Sequence, residues 1–246
     1  MGILGKIFQR SNKKKPAITV PEQQKKSGGD IAPELEKALQ AMLANYYPEA
    51  IAQASKSVHS ETPDIKADAH RICAISYSRL GDYEKAFEHY LFLFEVEGGA
   101  HTALQLATTS VMCCEVQRGE AWFIKFSELN SEEPKMSSGE ARTNYITALT
   151  NKGYWEKAFN HLNWLKEGYQ LLHITDSNFL YMRGFPFLSV MLEKSYTIVS
   201  QVLKREALIL WYAELGQGLD NDGQEAVNIF INSIKEGADP EKHPEG

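Results

Sequence analysis

A chain of 246 residues, 43% of them hydrophobic, is long enough for one or two ordinary domains or for a single elongated repeat body. Its formal net charge of −6 is unevenly spread: residues 1–30 hold seven basic and two acidic side chains, and the rest holds 19 basic and 30 acidic ones. An acidic body excludes the basic stripe that nucleic acid requires, so no nucleic-acid partner is expected.

Taken in order, residues 1–30 form a basic segment. Ile3, Leu4, Ile7 and Phe8 fall on one side of a short helix, and Lys13 to Lys15 follow. Apolar insertion and basic attraction would add at an anionic membrane surface, so residues 1–15 are a candidate membrane contact. The run is too short for a secretory signal, and Lys6 stands where a myristoylation signal needs Ser or Thr. Residues 11–30, with two prolines, a Gly-Gly pair and many Lys, Gln and Ser, are expected to be disordered.

From residue 31 to 240 the pattern is helical throughout. A first hairpin is expected at 32–64, with stripes Leu35, Ala38, Leu39, Met42 and Tyr47, Ala50, Ile51, Ala54, and with Pro63 at its end. In the second, His70, Cys73, Ala74 and Tyr77 share one helix face. Gly81 then supplies a left-handed turn, Asp82 an N-cap, and Tyr83, Ala86, Tyr90 and Leu93 the next face. A third at 101–134 is degenerate. Leu104, Ala107 and Val111 mark its first helix, Ala121, Trp122, Ile124, Phe126 and Leu129 its second, and its glycine is displaced to Gly119.

A fourth, at 139–173, repeats the second. Gly153 lies 72 residues after Gly81, and Tyr145, Leu149, Ala158, Leu162 and Leu165 repeat the stripe. Residues 174–206 carry no clear motif, but Asp176 or Ser177 can cap a short helix ending near Gly184. A second helix there would bury Leu188, Met191, Leu192, Ile198, Val199 and Val202. Phe179, Tyr181, Phe185 and Phe187 read as packing between units. A last hairpin, 207–240, buries Leu210, Ala213, Ala226, Ile229, Phe230 and Ile234, and 241–246 is a flexible tail.

The two motifs Gly81-Asp82-Tyr83-Glu84-Lys85-Ala86-Phe87 and Gly153-Tyr154-Trp155-Glu156-Lys157-Ala158-Phe159 resemble the tetratricopeptide repeat (TPR) family. The Asp220–Asp222 loop and the Gly237-Ala238-Asp239-Pro240 ending resemble its Sel1-like relatives. The resemblance implies an all-α, right-handed solenoid of antiparallel hairpins whose first helices line a concave groove. It places Arg71, Ile75, Arg79, Gln105, Thr109, Thr143, Asn144 and Thr147 in that groove. The full Lys/Asn set by which some members clamp a terminal carboxylate is not recognisable.

Chemistry-bearing patterns are absent from the sequence. There is no G-x-S-x-G elbow, no P-loop and no Gly-rich loop after a strand. Cys73, Cys113 and Cys114 make neither a disulfide framework nor a metal set and point to a reducing compartment. No cofactor, metal or catalytic residue is expected, and the chain is read as a non-enzyme. Two readings remain. One is a cytoplasmic, adaptor- or chaperone-like module that binds a partner peptide or domain. The other is a peripheral membrane scaffold anchored by residues 1–15. Self-association through unpaired terminal hairpins follows from the need to cap a solenoid.

Overall fold

The structure, a computed structural model, describes residues 32–237, and these are helical without a strand. The basic segment with Ile3, Leu4, Ile7 and Phe8, and the tail 241–246, lie outside the described residues. Twelve helices follow one another: α1 (Pro33–Leu43), α2 (Tyr47–Ala54), α3 (Pro63–Leu80), α4 (Tyr83–Glu97), α5 (Ala100–Met112) and α6 (Val116–Glu132), then α7 (Ser138–Asn151), α8 (Trp155–Leu172), α9 (Ser177–Arg183), α10 (Leu188–Val202), α11 (Arg205–Gln217) and α12 (Asn221–Glu236). They divide into two compact units, one reaching to Thr109 and the other starting at Ser110, with the division inside α5.

One turn design recurs at four helix–helix junctions. A single residue takes the left-handed conformation and the next becomes the N-cap of the following helix. The first is Asn45, Gly81, Cys114 or Gly153, with φ between 63° and 80°. The second is Tyr46, Asp82, Glu115 or Tyr154, and each N–H bonds back five residues, to the carbonyls of Ala41, Tyr77, Ser110 and Leu149 at 2.8–3.0 Å. This is the 6→1 closure that satisfies a helix's last carbonyls. Sequence placed the third glycine at Gly119, whereas Gly119 is buried inside α6 and Cys114 makes the turn. A left-handed cysteine costs about 1–2 kcal/mol, which the flanking helices sustain.

In the first unit α1, α2 and α3 share a core of Leu35, Ala38, Met42, Ala50, Ala54, Ala69, Ile72 and Cys73. Ala50 and Ala86 are fully buried, so the small side chains sit where helices approach closely. Pro63 opens α3 instead of closing the first hairpin. Proline is well placed there, because the first helical N–H has no partner anyway and φ is already set.

In the second unit, Tyr145, Leu149, Ala158, Leu162 and Leu165 are buried as their spacing predicts. Asp176 caps α9 through a bond accepted from the Phe179 N–H, and Gly184 ends it at φ 69°. Two buried stripes differ from expectation. On α6 the buried face is Val116, Gly119, Phe123, Phe126 and Asn130, with Ile124 exposed. On the last hairpin it is Leu208, Trp211, Tyr212, Leu215, Val227, Ile231 and Ile234, leaving Leu210 and Ile229 exposed. Both helices carry apolar residues on two adjacent stripes, and hydrophobicity alone does not choose between them.

Candidate functional site

In the second unit a groove of about 510 Å³ lies between α7, α8 and α10. Its floor is apolar: Ile146, Leu162, Leu165, Met191 and Ile198, all buried. Thr143, Thr147, Thr150 and Asn151 of α7 form one polar wall, and Glu193, Lys194 and Thr197 of α10 the other. An apolar base with a few convergent polar groups is the usual composition of a recognition site.

The groove exists because α10 is held against α8 at a set place. The Tyr169 hydroxyl donates to the Pro186 carbonyl at 2.5 Å, just before α10. Phe185 packs edge-on to Tyr169 and stacks on Trp164, with ring centroids 5.3 and 6.2 Å apart. Its ring fills the space above Gly168, where a Cβ would lie 2.5 Å from the ring carbon Cζ. The Ser137 hydroxyl donates to the Gly184 carbonyl at 2.7 Å and accepts from the N–H groups of Gly139 and Glu140, which caps α7. The aromatic segment is thus partly packing, as its sequence suggested, although Tyr181 and Phe187 remain exposed.

Behind the α7 wall lies a polar network that the sequence did not reveal. The Arg142 guanidinium lies against the Trp164 and Phe123 rings, 4.2 and 5.0 Å from their centroids. It donates to His161 Nδ1 at 2.7 Å, which leaves the imidazole hydrogen on Nε2 to donate to Glu120 at 3.2 Å. The Tyr145 hydroxyl donates to the same carboxylate oxygen at 3.0 Å. Burial brings Arg142 down to about 10, with Glu120 opposing the shift. Burial also raises the Glu120 carboxyl, but bonds from His161 and Tyr145 outweigh it and hold the carboxyl below its ordinary value. Both imidazole nitrogens are engaged, so this Arg–His–Glu–Tyr chain holds α6, α7 and α8 together and offers no free base.

Of the eight residues placed in a groove from sequence, Thr143 and Thr147 line this one. Asn144 is exposed on the same helix but is not part of the lining. In the first unit, Arg71 is half-buried and pairs with Asp68 at 2.6 Å and with Glu97 through two bonds of 2.5–2.6 Å. Ile75 and Gln105 are half-buried, Arg79 is exposed, and Thr109 is buried. Met191, Lys194 and Ile198 were missed as groove residues because 174–206 carries no repeat motif to set its register. The one available signal was the Thr143, Thr147, Thr150 spacing, which puts three hydroxyls on one face of α7.

Among the described residues, no group of three or more His, Cys, Asp and Glu side chains could hold a metal ion. Cys73 is buried, and burial pushes its thiol up to about 11. No described helix is long and apolar enough to cross a membrane.

No protein-family model matches the chain. No curated protein is similar to it at a significant level. Among solved structures it is similar to YrrB, described as a TPR protein with an unusual peptide-binding site. The identity is 14%, the TM-score 0.49, and the match covers 84% of this chain and 92% of that one. Helix pairs joined by recurring left-handed turns make the described chain an all-α protein built of repeated helix hairpins.

Proposed function

We propose that the chain is a non-enzymatic, cytoplasmic interaction module, adaptor- or chaperone-like, that holds a segment of a partner protein in the groove between α7 and α10. The observation that carries this reading is the groove itself, an apolar floor left open between polar walls on a packed helical frame. Exposed apolar surface in a concave setting is worth more to a protein as a contact than as solvent-facing area. Asn144 remains proposed as an additional contact in this unit, and Arg79 and Gln105 as partner contacts of the first unit by itself. Arg71 is committed to its ion pairs and Thr109 is buried. The Sel1-like reading of the last hairpin rests on its sequence alone.

Val190 of α10 also lines the groove, and the test is affinity purification of the full chain from its own cells beside a Thr147→Arg, Val190→Asp variant that fills and polarises it. An abundant partner lost in the variant, at unchanged helical content and melting temperature, is the expected result. Retention of every partner would sink the groove assignment.

A second reading, a peripheral membrane scaffold, rests on Ile3, Leu4, Ile7, Phe8 and the lysines that follow them. It requires binding to anionic liposomes that Ile3→Asp with Phe8→Asp abolishes; sedimentation with vesicles unaltered by these changes rules it out.

A further inference from the structure

The α7 wall of the groove has a one-sided hydrogen-bonding character. The Thr143 hydroxyl donates to the Gly139 carbonyl at 2.9 Å, Thr147 to the Thr143 carbonyl at 2.9 Å, and Thr150 to the Thr147 carbonyl at 3.0 Å. A hydroxyl has one hydrogen and two lone pairs. With each hydrogen taken by its own helix, the three oxygens can only accept from an occupant. These three oxygens complement N–H groups and repel a carboxylate, while the Asn151 amide farther along the wall can donate as well as accept. On the opposite wall, Glu193 and Lys194 are exposed neighbours, one accepting and the other donating.

Spacing narrows the occupant further. Thr143 and Thr147 are separated by four residues of helix, an axial distance of about 6 Å. In an extended chain every second residue presents its N–H and its C=O on the same edge, and the N–H groups on that edge repeat at about 6.6–6.8 Å. The two repeats agree closely enough for two successive bonds. The residue between them points its N–H and C=O to the other edge, where Glu193 can accept and Lys194 can donate. Side chains perpendicular to that plane reach the apolar floor at Met191 and Ile198.

We propose that the groove binds an extended segment of a partner protein by its main chain, with alternate N–H groups donated to the hydroxyl oxygens of Thr143 and Thr147. This deepens the interaction-module reading and rests on it. Selectivity follows directly. Proline at either donating position removes the N–H, and a terminal carboxylate in place of either N–H meets a hydroxyl oxygen that can only accept, so both are disfavoured at those two positions.

The probe is the strongest binder from a displayed library of random twelve-residue peptides selected on the full chain, remade with single N-methyl groups along its backbone. Thr143→Val and Thr147→Val keep the shape and remove the acceptor; Thr143→Ser and Thr147→Ser retain it. Each valine is expected to weaken the peptide about fivefold, and each serine to leave it within about twofold. N-methylation should weaken binding in the same way at two positions separated by one residue. At those positions its effect should not add to that of the valines. If Thr147→Arg abolishes binding while the valines and the N-methyl groups change nothing, the main-chain register is wrong and the groove assignment stands. If no peptide is selected, or Thr147→Arg binds it as well as the parent, the groove assignment falls and the register with it.

Discussion

Replacing Tyr145 by alanine is expected to lower the unfolding free energy by about 3–5 kcal/mol, the scale for emptying a buried aromatic site. Its side chain is fully buried. The ring stacks on Phe123 at 4.4 Å and meets His161 edge-on at 4.9 Å. Truncation would therefore leave a cavity bounded by two rings that rotate poorly into it. The hydroxyl has a separate role. Burial first, and then the Glu120 charge, raise its ionisation well above the ordinary tyrosine value, so it stays a donor to that carboxylate. Tyr145→Phe keeps the ring and removes one of the two bonds Glu120 accepts, which should cost about 1–2 kcal/mol. Urea unfolding of both variants checks the pair. Equal losses would mean that the cost comes from the network and not from the ring.

A second large effect is expected from acid, through the hairpin α3/α4. His70 and His89 face each other across it, Nδ1 to Nδ1 at 3.0 Å. One nitrogen must donate and the other accept, so the pair cannot carry hydrogens on both. His70 also stacks on Phe92 with centroids 3.8 Å apart, and Lys66 lies 5.0 Å from that ring's centroid. Burial, and after it the neighbouring His89, lower His70 from 6.5 to about 4. Burial lowers His89 as well, with Glu88 opposing.

A folded value below the unfolded one means that the unfolded chain takes up the proton first as pH falls. The stabilisation is therefore complete above about 6.5, declines between 6.5 and about 4, and changes no further below that. Allowing for partial exposure of the ring, the loss from His70 should be about 1–2 kcal/mol. Denaturant midpoints at pH 7.5, 5.5 and 4.5 test it. His70→Gln, with an amide in place of the imidazole, should flatten the slope in this window. An unchanged slope in that variant would assign the acid sensitivity elsewhere. The carboxylates held low, Asp82, Glu120 and Asp220, act at more acidic pH, because their stabilisation is lost as pH falls through their own lowered values.

The two strongest motifs show how far sequence reaches. Gly81 followed by Asp82, and Gly153 before its helix, specify a left-handed turn and the start of a helix through local backbone energetics alone. The structure has both turns where the motifs place them. Short-range chemistry also placed Asp176 and Gly184 at the ends of α9. The third turn was illegible for the same reason. Cysteine has no intrinsic preference for φ 64°, and Cys114 adopts it only because α5 and α6 are long enough to impose it.

What the sequence determined by itself was therefore the class: all-helical, built of hairpins, with small residues such as Ala86 at the close approaches and an acidic described body. Those features depend on neighbours within a turn or two of helix. The tertiary structure decided which of two apolar stripes on α6 and α12 turns inward, how α10 meets α8, and hence where a groove opens. It also decided that Arg142, His161, Glu120 and Tyr145, spread over three helices, form one network. The physical reason is that packing selects among stripes of nearly equal hydrophobicity by shape, through contacts such as Phe185 over Gly168, and shape is a property of distant residues brought together.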